Sequence, residues 1–154
     1  MPALEEAADC VRDVLERIAS VVGVHAEVRI ALDQDSIVGE FVGDDLGLLI
    51  GHHGQTIDAI QHLAYRIAFR RTQEPVRIVV DAAGYRERRA VALRAAADQA
   101  AETAVRERRA VELEAMSALE RKVVHEHLKS RHDVETYSEG QEPDRRLVVA
   151  PLVD

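Results

Sequence analysis

Residues 49–61 read LIGHHGQTIDAIQ. Gly51 and Gly54 bracket His52 and His53, and a polar-headed apolar run follows them. That run extends to QTIDAIQHLAYRIAFR, residues 55–70, an amphipathic helix in which Ile57, Ile60, Leu63, Ala64, Ile67 and Ala68 share one arc. Just before the glycines, DDLGLLIG predicts a short helix with acidic N-cap candidates, stopped by Gly51. The chain thus sets a flexible turn hard against the first turn of a helix. A helix N-terminus exposes unpaired N–H groups and a partial positive charge. Flanking glycines let another backbone approach those donors closely. A phosphodiester suits such a surface, because it brings acceptors and negative charge. Ile50 and Ile57, with the adjacent apolar strands, are expected to line an aliphatic groove for unstacked bases. Two glycines that only punctuate a turn would read the same way in isolation, so the neighbouring elements decide.

Upstream, residues 4–21 carry Leu4, Ala7, Ala8, Val11, Val14, Leu15 and Ile18 at helical spacing, with Gly23 ending the run. VHAEVRIAL then alternates, placing Val24, Ala26, Val28, Ile30 and Leu32 on one strand face. DQDS is a turn, and IVGEFV reads as a second, antiparallel strand. Downstream of the long amphipathic helix, Pro75 precedes the short strand VRIVV. The order is helix, strand, strand, helix, GxxG, helix, strand. That order, with GxxG at 51–54, resembles a type II KH domain, whose loop clamps about four nucleotides of a single strand. The resemblance implies RNA contacts from Ile50, Gly51, His52, His53, Gly54, Gln55 and Ile57. KH loops commonly carry Lys or Arg between the glycines, whereas this loop carries two histidines. An imidazole titrates near pH 6.5, so the pair offers hydrogen bonds more than charge at neutral pH. No Cys or acidic residue falls at a ligand spacing beside them, and neither metal nor cofactor is expected.

From Tyr85 to Arg108 the chain is rich in Ala, Arg and Glu, strong helix formers. A helix of about 22 residues spans roughly 33 Å, and this one is expected to join two units. Val111 and Leu113 alternate like a short strand. SALERKVVHEHLKSR reads as a helix with Ser117 as N-cap and Glu120 three residues on, a capping-box pattern. VETYS and RRLVVAP read as strands around the turn EGQEPD. On the helix, Met116, Leu119, Val123, Val124 and Leu128 define an apolar arc. Arg121 and His125 fall just beyond its edge, followed by Lys129 and Lys122, which makes a basic strip able to grip phosphate. A solvated helix face carrying one histidine would show the same spacing. An arginine at the edge packs only partly, so Arg121→Ala is expected to weaken nucleic-acid binding and to spare the fold.

ERKVVHEHL followed by VETYSEGQEPDRRLVVAP resembles the R-3-H domain, named for its Arg-x-x-x-His motif. A KH domain, a long helix and an R-3-H domain together resemble the bacterial Jag/KhpB family, with GHHGQTIDAIQ, GYRERR, LERKVVHEHL and TYSEGQEPDRR as landmarks. The resemblance implies an α+β fold: a KH domain over residues 1–82, then the long helix and a small R-3-H domain over 83–154. It implies nucleic-acid contacts from Arg121, Lys122, His125, Lys129 and Arg145. It also implies a cytoplasmic RNA-binding protein linked to cell elongation, division and RNA metabolism. Single-stranded RNA is the expected partner, and single-stranded DNA is left open as an alternative strand. A small KH partner protein and a homodimer are both compatible with the family. No N-terminal Jag domain is read in this sequence.

Composition fits this reading once charge is placed along the chain. The net charge is −8. Residues 1–45 hold three basic and eleven acidic side chains, while residues 46–154 hold 17 of each. The repulsion toward a polyanion therefore sits at one end. A single cysteine excludes an internal disulfide framework, and no apolar run approaches the roughly 20 residues of a membrane span. No phosphate-binding P-loop or nucleophile elbow occurs among the motifs, so no enzyme is expected. The rival reading is a non-catalytic protein-interaction adaptor with little affinity for nucleic acid.

Overall fold

Residues 2–153 are described by a computed structural model, in two units, Met1–Arg86 and Glu87–Asp154. The first unit opens with α1 (Pro2–Val22), whose helical spacing buries Ala7, Val11, Leu15 and Ala19. β1 (Glu27–Asp33) and β2 (Ser36–Val42) form an antiparallel hairpin, in register from Asp33 opposite Ser36 to Glu27 opposite Val42. Its turn takes Gln34 into the left-handed region at φ 52°. The short helix α2 (Gly47–Ile50) leads to a 3-10 turn, His52–Gly54, and then α3 (Gln55–Thr72). β3 (Arg77–Ala82) adds to β2 in parallel, giving the order β1-β2-β3. Val11, Leu15, Ile37, Phe41, Leu49, Ile57 and Val80 meet, fully buried, in one core.

Several expectations change here. The strand face read over residues 24–32 is only shallowly covered: β1 starts at Glu27, Val28 alone on that face is buried and Leu32 is exposed. The N-cap of α2 is Leu46, with no side-chain hydrogen bond, rather than one of the acids before it. On α3 the buried arc narrows to Ile57, Ile60, Ala64 and Ala68, and Leu63 is 47% exposed. The helix packs on α1 and β3, which cover one ridge of it and leave Leu63 and Ile67 outside.

α4 (Tyr85–Glu107) begins with the last two residues of the first unit, and its part in the second unit buries Leu93, Ala97, Ala100, Ala101 and Ala104. It is thus a layer of this unit's core and more than a connection. The alanines recur at three- and four-residue steps, and their small side chains let neighbouring elements approach closely. β4 (Val111–Glu112), β5 (Val134–Glu139) and β6 (Arg146–Pro151) form an antiparallel sheet of order β4-β6-β5. Leu147 and Val149 of β6 meet Val124 and Leu128 of α5 (Ala118–Leu128) and the alanine face of α4.

The start of α5 is as its sequence predicts. Ser117 Oγ accepts from the Glu120 N–H, and the Glu120 carboxylate accepts from the Ser117 N–H. Ser117→Ala should lower stability by about 1 kcal/mol, read from the midpoint of urea unfolding. An unchanged midpoint would show that packing alone starts this helix.

The direction that α5 faces differs from expectation. Its buried face centres on Val124, Leu128 and Arg121, while Leu119 points away and is 70% exposed. Arg121 is therefore inside the packed face and not at its rim.

Candidate nucleic-acid interface

At the GHHG junction the backbone turns through three left-handed residues. Gly51 has φ 74°, His53 φ 51° and Gly54 φ 77°. The turn reverses the chain between α2 and α3, and only its two glycines lack a Cβ that would fill the bend. A Cβ on Gly51 would run into Thr56 Oγ1 and lie 2.7 Å from Thr56 Cβ. A Cβ on Gly54 would lie 2.7 Å from the Tyr85 ring. Gly54 is the N-cap of α3 and has no side chain to occupy the helix end. The Gln55 N–H bonds back to the His52 carbonyl, no side chain caps the amides beyond it, and the field at this end favours an anion.

His52 is exposed and His53 half-buried, with their rings stacked at a centroid distance of 3.8 Å. The stack presents two imidazoles as one block beside the helix end. Gln55 is exposed, and Ile50 is partly covered. Ile57 is not available as a groove wall: its exposure is 0%, and it belongs to the core. Its position three residues into α3 points it inward along the buried ridge, under the loop and away from any ligand. Of the two residues expected to line an aliphatic groove, only Ile50 reaches the surface.

In the second unit, Arg121, Lys122, His125, Thr136, Ser138 and Arg145 surround an open cleft of about 430 Å³. The sequence reading brought five basic residues to this region, and they fall into three kinds. Arg121 is 8% exposed, and its guanidinium donates to the Met116 carbonyl at 2.6 Å and to Glu142 Oε1 at 2.6 Å. The expectation that it packs only partly is corrected: Arg121 ties α5 to the turn between β5 and β6. Its fork is already filled. His125 Nδ1 hydrogen-bonds Thr136 Oγ1, which sets the ring against β5. Arg145 donates to the Gly140 carbonyl at 2.7 Å and is partly exposed.

Both lysines of the chain, Lys122 and Lys129, are on or at the end of α5, and both are exposed. Lys129 bonds Glu126 at 3.0 Å and holds that carboxyl below its usual range. It does not line the cleft with the others. Lys122 makes no close ion pair among the described residues, although its charge also helps to hold the Glu126 carboxyl low, and it stays exposed at the cleft.

Residues 8–80 match the family model described as KhpA/KhpB, KH domain, and residues 91–151 match the R-3-H domain. The chain belongs to the KhpB family. It is 36% identical over 148 residues to RNA-binding protein KhpB of Lactiplantibacillus plantarum, covering 96% of this chain and 46% of that protein. RNA-binding protein KhpB of Clostridium symbiosum is 37% identical over 108 residues, 70% of this chain and 49% of the relative. The Bacillus subtilis protein of the same name is 29% identical over 138 residues, 88% of this chain and 66% of its own length. The chain thus spans 46 to 66% of the length of these relatives. The KH and R-3-H matches fall one on each unit, and both GHHG and the Arg-x-x-x-His helix lie inside them.

Two parts of this KhpB-type arrangement have no counterpart in the sequence reading. One is the pairing of His125 with Thr136, two positions joined only when β5 lies along α5. The other is a polar network beside the GHHG loop. Arg86 donates to Asp58 Oδ1 at 2.7 Å, Gln61 Oε1 at 3.1 Å and the Val80 carbonyl at 2.8 Å. Gln61 Oε1 in turn accepts from the Val80 N–H at 2.9 Å. The signal was present in GYRERR, a landmark of the family resemblance, but no spacing rule connects residue 86 to residue 58.

Proposed function

We propose that this KhpB-family chain binds single-stranded RNA without catalysing a reaction on it. Residues 1–82 act as the KH domain and 83–154 as the R-3-H domain. The observation that carries the proposal is the N-terminus of α3, which directly follows two left-handed glycines and has no side chain capping it. The RNA-binding names of the relatives support the same reading. His52, His53, the Gln55 side chain and the amides that follow Gln55 in the first turn of α3 take backbone phosphate, and Ile50 meets a base. In the R-3-H cleft Lys122, His125 and Arg145 approach a second stretch of strand, over a floor that Arg121 holds in place. The cellular role that fits is a cytoplasmic post-transcriptional regulator or RNA chaperone tied to cell elongation and division. A small KH protein would serve as its partner. No helix among the described residues is long and apolar enough to cross a membrane.

Filter binding of a labelled single-stranded RNA across a salt series tests the proposal. Few cations face solvent at either site, so affinity should be micromolar. Its logarithm should fall by only about 2 to 3 per tenfold salt, at roughly 0.7 per phosphate neutralised. A slope above about 5 would reveal a basic surface elsewhere. Negligible binding even at about 50 mM salt would favour the adaptor reading. Loss of labelled RNA that EDTA abolishes would overturn the non-catalytic part.

A further inference from the structure

Asp58 is the sole acidic residue of α3 and lies in its first turn, with a side chain 43% exposed. A carboxylate there suits the helix dipole but opposes a phosphate brought to the same helix end. Resting on the clamp reading above, we infer that Arg86 is a positioning residue for RNA at the GHHG loop, holding Asp58 neutralised and aimed away from the strand. The guanidinium is oriented by two neutral acceptors, the Val80 carbonyl at 2.8 Å and Gln61 Oε1 at 3.1 Å, so its direction does not depend on Asp58. Its remaining nitrogen then meets Asp58 Oδ1 at 2.7 Å.

The backbone of Arg86 is fixed as well. Its N–H donates to Asp81 Oδ1 at 3.2 Å, an oxygen that also accepts from the Ala82 N–H at 2.8 Å. This ties the start of α4 to the end of β3. The preceding residue, Tyr85, lies directly under Gly54: a Cβ there would be 2.7 Å from Tyr85 Cε1 and 3.2 Å from its hydroxyl. Two successive residues therefore do complementary work at one loop. Tyr85 forms the floor beneath the second glycine, and Arg86 removes the adverse charge at its flank. Two of the three acceptors of the Arg86 side chain are neutral and fix its direction, and the third is the carboxylate in the first turn of α3.

The test follows the amide shifts of Gly51 to Ile57 in the whole chain during titration with a short single-stranded RNA. These signals read the first unit alone, whatever the R-3-H cleft binds. Arg86→Gln should weaken binding about three- to tenfold, because Asp58 becomes an uncompensated charge beside the phosphate. Adding Asp58→Asn should restore affinity to within about twofold of wild type, since the repulsion is gone although the bond is not. Arg86→Lys, which keeps the charge, should lose less than Arg86→Gln. The inference is overturned if Arg86→Gln binds like wild type, or if Asp58→Asn leaves its loss in place. If Arg86→Gln does not fold, Asp58→Asn alone decides: unchanged or tighter binding supports charge neutralisation, and weaker binding shows that the pair is only a scaffold. Wild-type amides that ignore RNA would instead sink the clamp itself, a result visible before any variant is made.

Discussion

Changing His52 and His53 together to Asp should lower RNA binding at the GHHG loop at least tenfold while the melting temperature holds or rises. The two effects have opposite signs because one helix end serves both. Carboxylates near a helix N-terminus interact favourably with its dipole, by roughly 0.3–1 kcal/mol each when exposed. Both replaced residues stand just before Gly54, the N-cap of α3, and His53 occupies a left-handed conformation that Asp tolerates better than most residues. The glycines stay, and so does the buried ridge of Ile57, Ile60, Ala64 and Ala68. A phosphate at that end, however, would meet two negative charges within a few ångströms. Each repulsion is about 1 kcal/mol in water at 4 Å and more at a partly desolvated surface. Circular dichroism and thermal melting measure the first effect, and RNA titration of the loop amides the second. A double variant that binds as tightly as its parent would reduce GHHG to a turn and leave any RNA binding to the R-3-H cleft.

The second large effect is on stability. Arg121→Ala should destabilise the R-3-H unit by about 2–3 kcal/mol, the combined cost of an unfilled site and a buried carbonyl left without its donor. The Met116 carbonyl loses a partner at 2.6 Å, and the turn holding Glu142 loses its tie to α5. Glu142 itself is 58% exposed and can turn to water, so the penalty is not that of an orphaned buried charge. Arg121→Met should recover part of the loss by restoring volume but not the hydrogen bonds. Urea unfolding measures both variants. If Arg121→Ala leaves the midpoint in place and weakens only RNA binding, the buried pairing is not what holds this unit, and the arginine is available to ligand after all.

The contrast between Arg121 and the GHHG loop shows where sequence reading reaches its limit. The capping box at Ser117 and Glu120 was legible because its two hydrogen bonds span three residues. The turn at Gly51 and Gly54 was legible because glycine leaves room for the backbone to bend and approach closely, whereas its left-handed φ values, His53 included, were not read from the sequence. The width and direction of an apolar arc were not. On α3 the arc loses Leu63 and Ile67, and on α5 it turns away from Leu119 and takes in Arg121. Periodicity tells which residues share a face, but how much of that face is covered depends on the element packed against it.

By itself the sequence determined the order of helices and strands, the position of GHHG between two helices and the Arg-x-x-x-His spacing, because each follows from chemistry acting across a few neighbouring residues. Only the tertiary structure decided that Ile57 is core and not groove, that Arg121 is bound to Glu142, and that Arg86 clasps Asp58. Those partners are 21 and 28 residues apart, and no local rule of rotation or spacing links them. They meet because burial of the apolar faces first brings the elements together, and each charged group must then find its partner among whatever that packing has placed beside it.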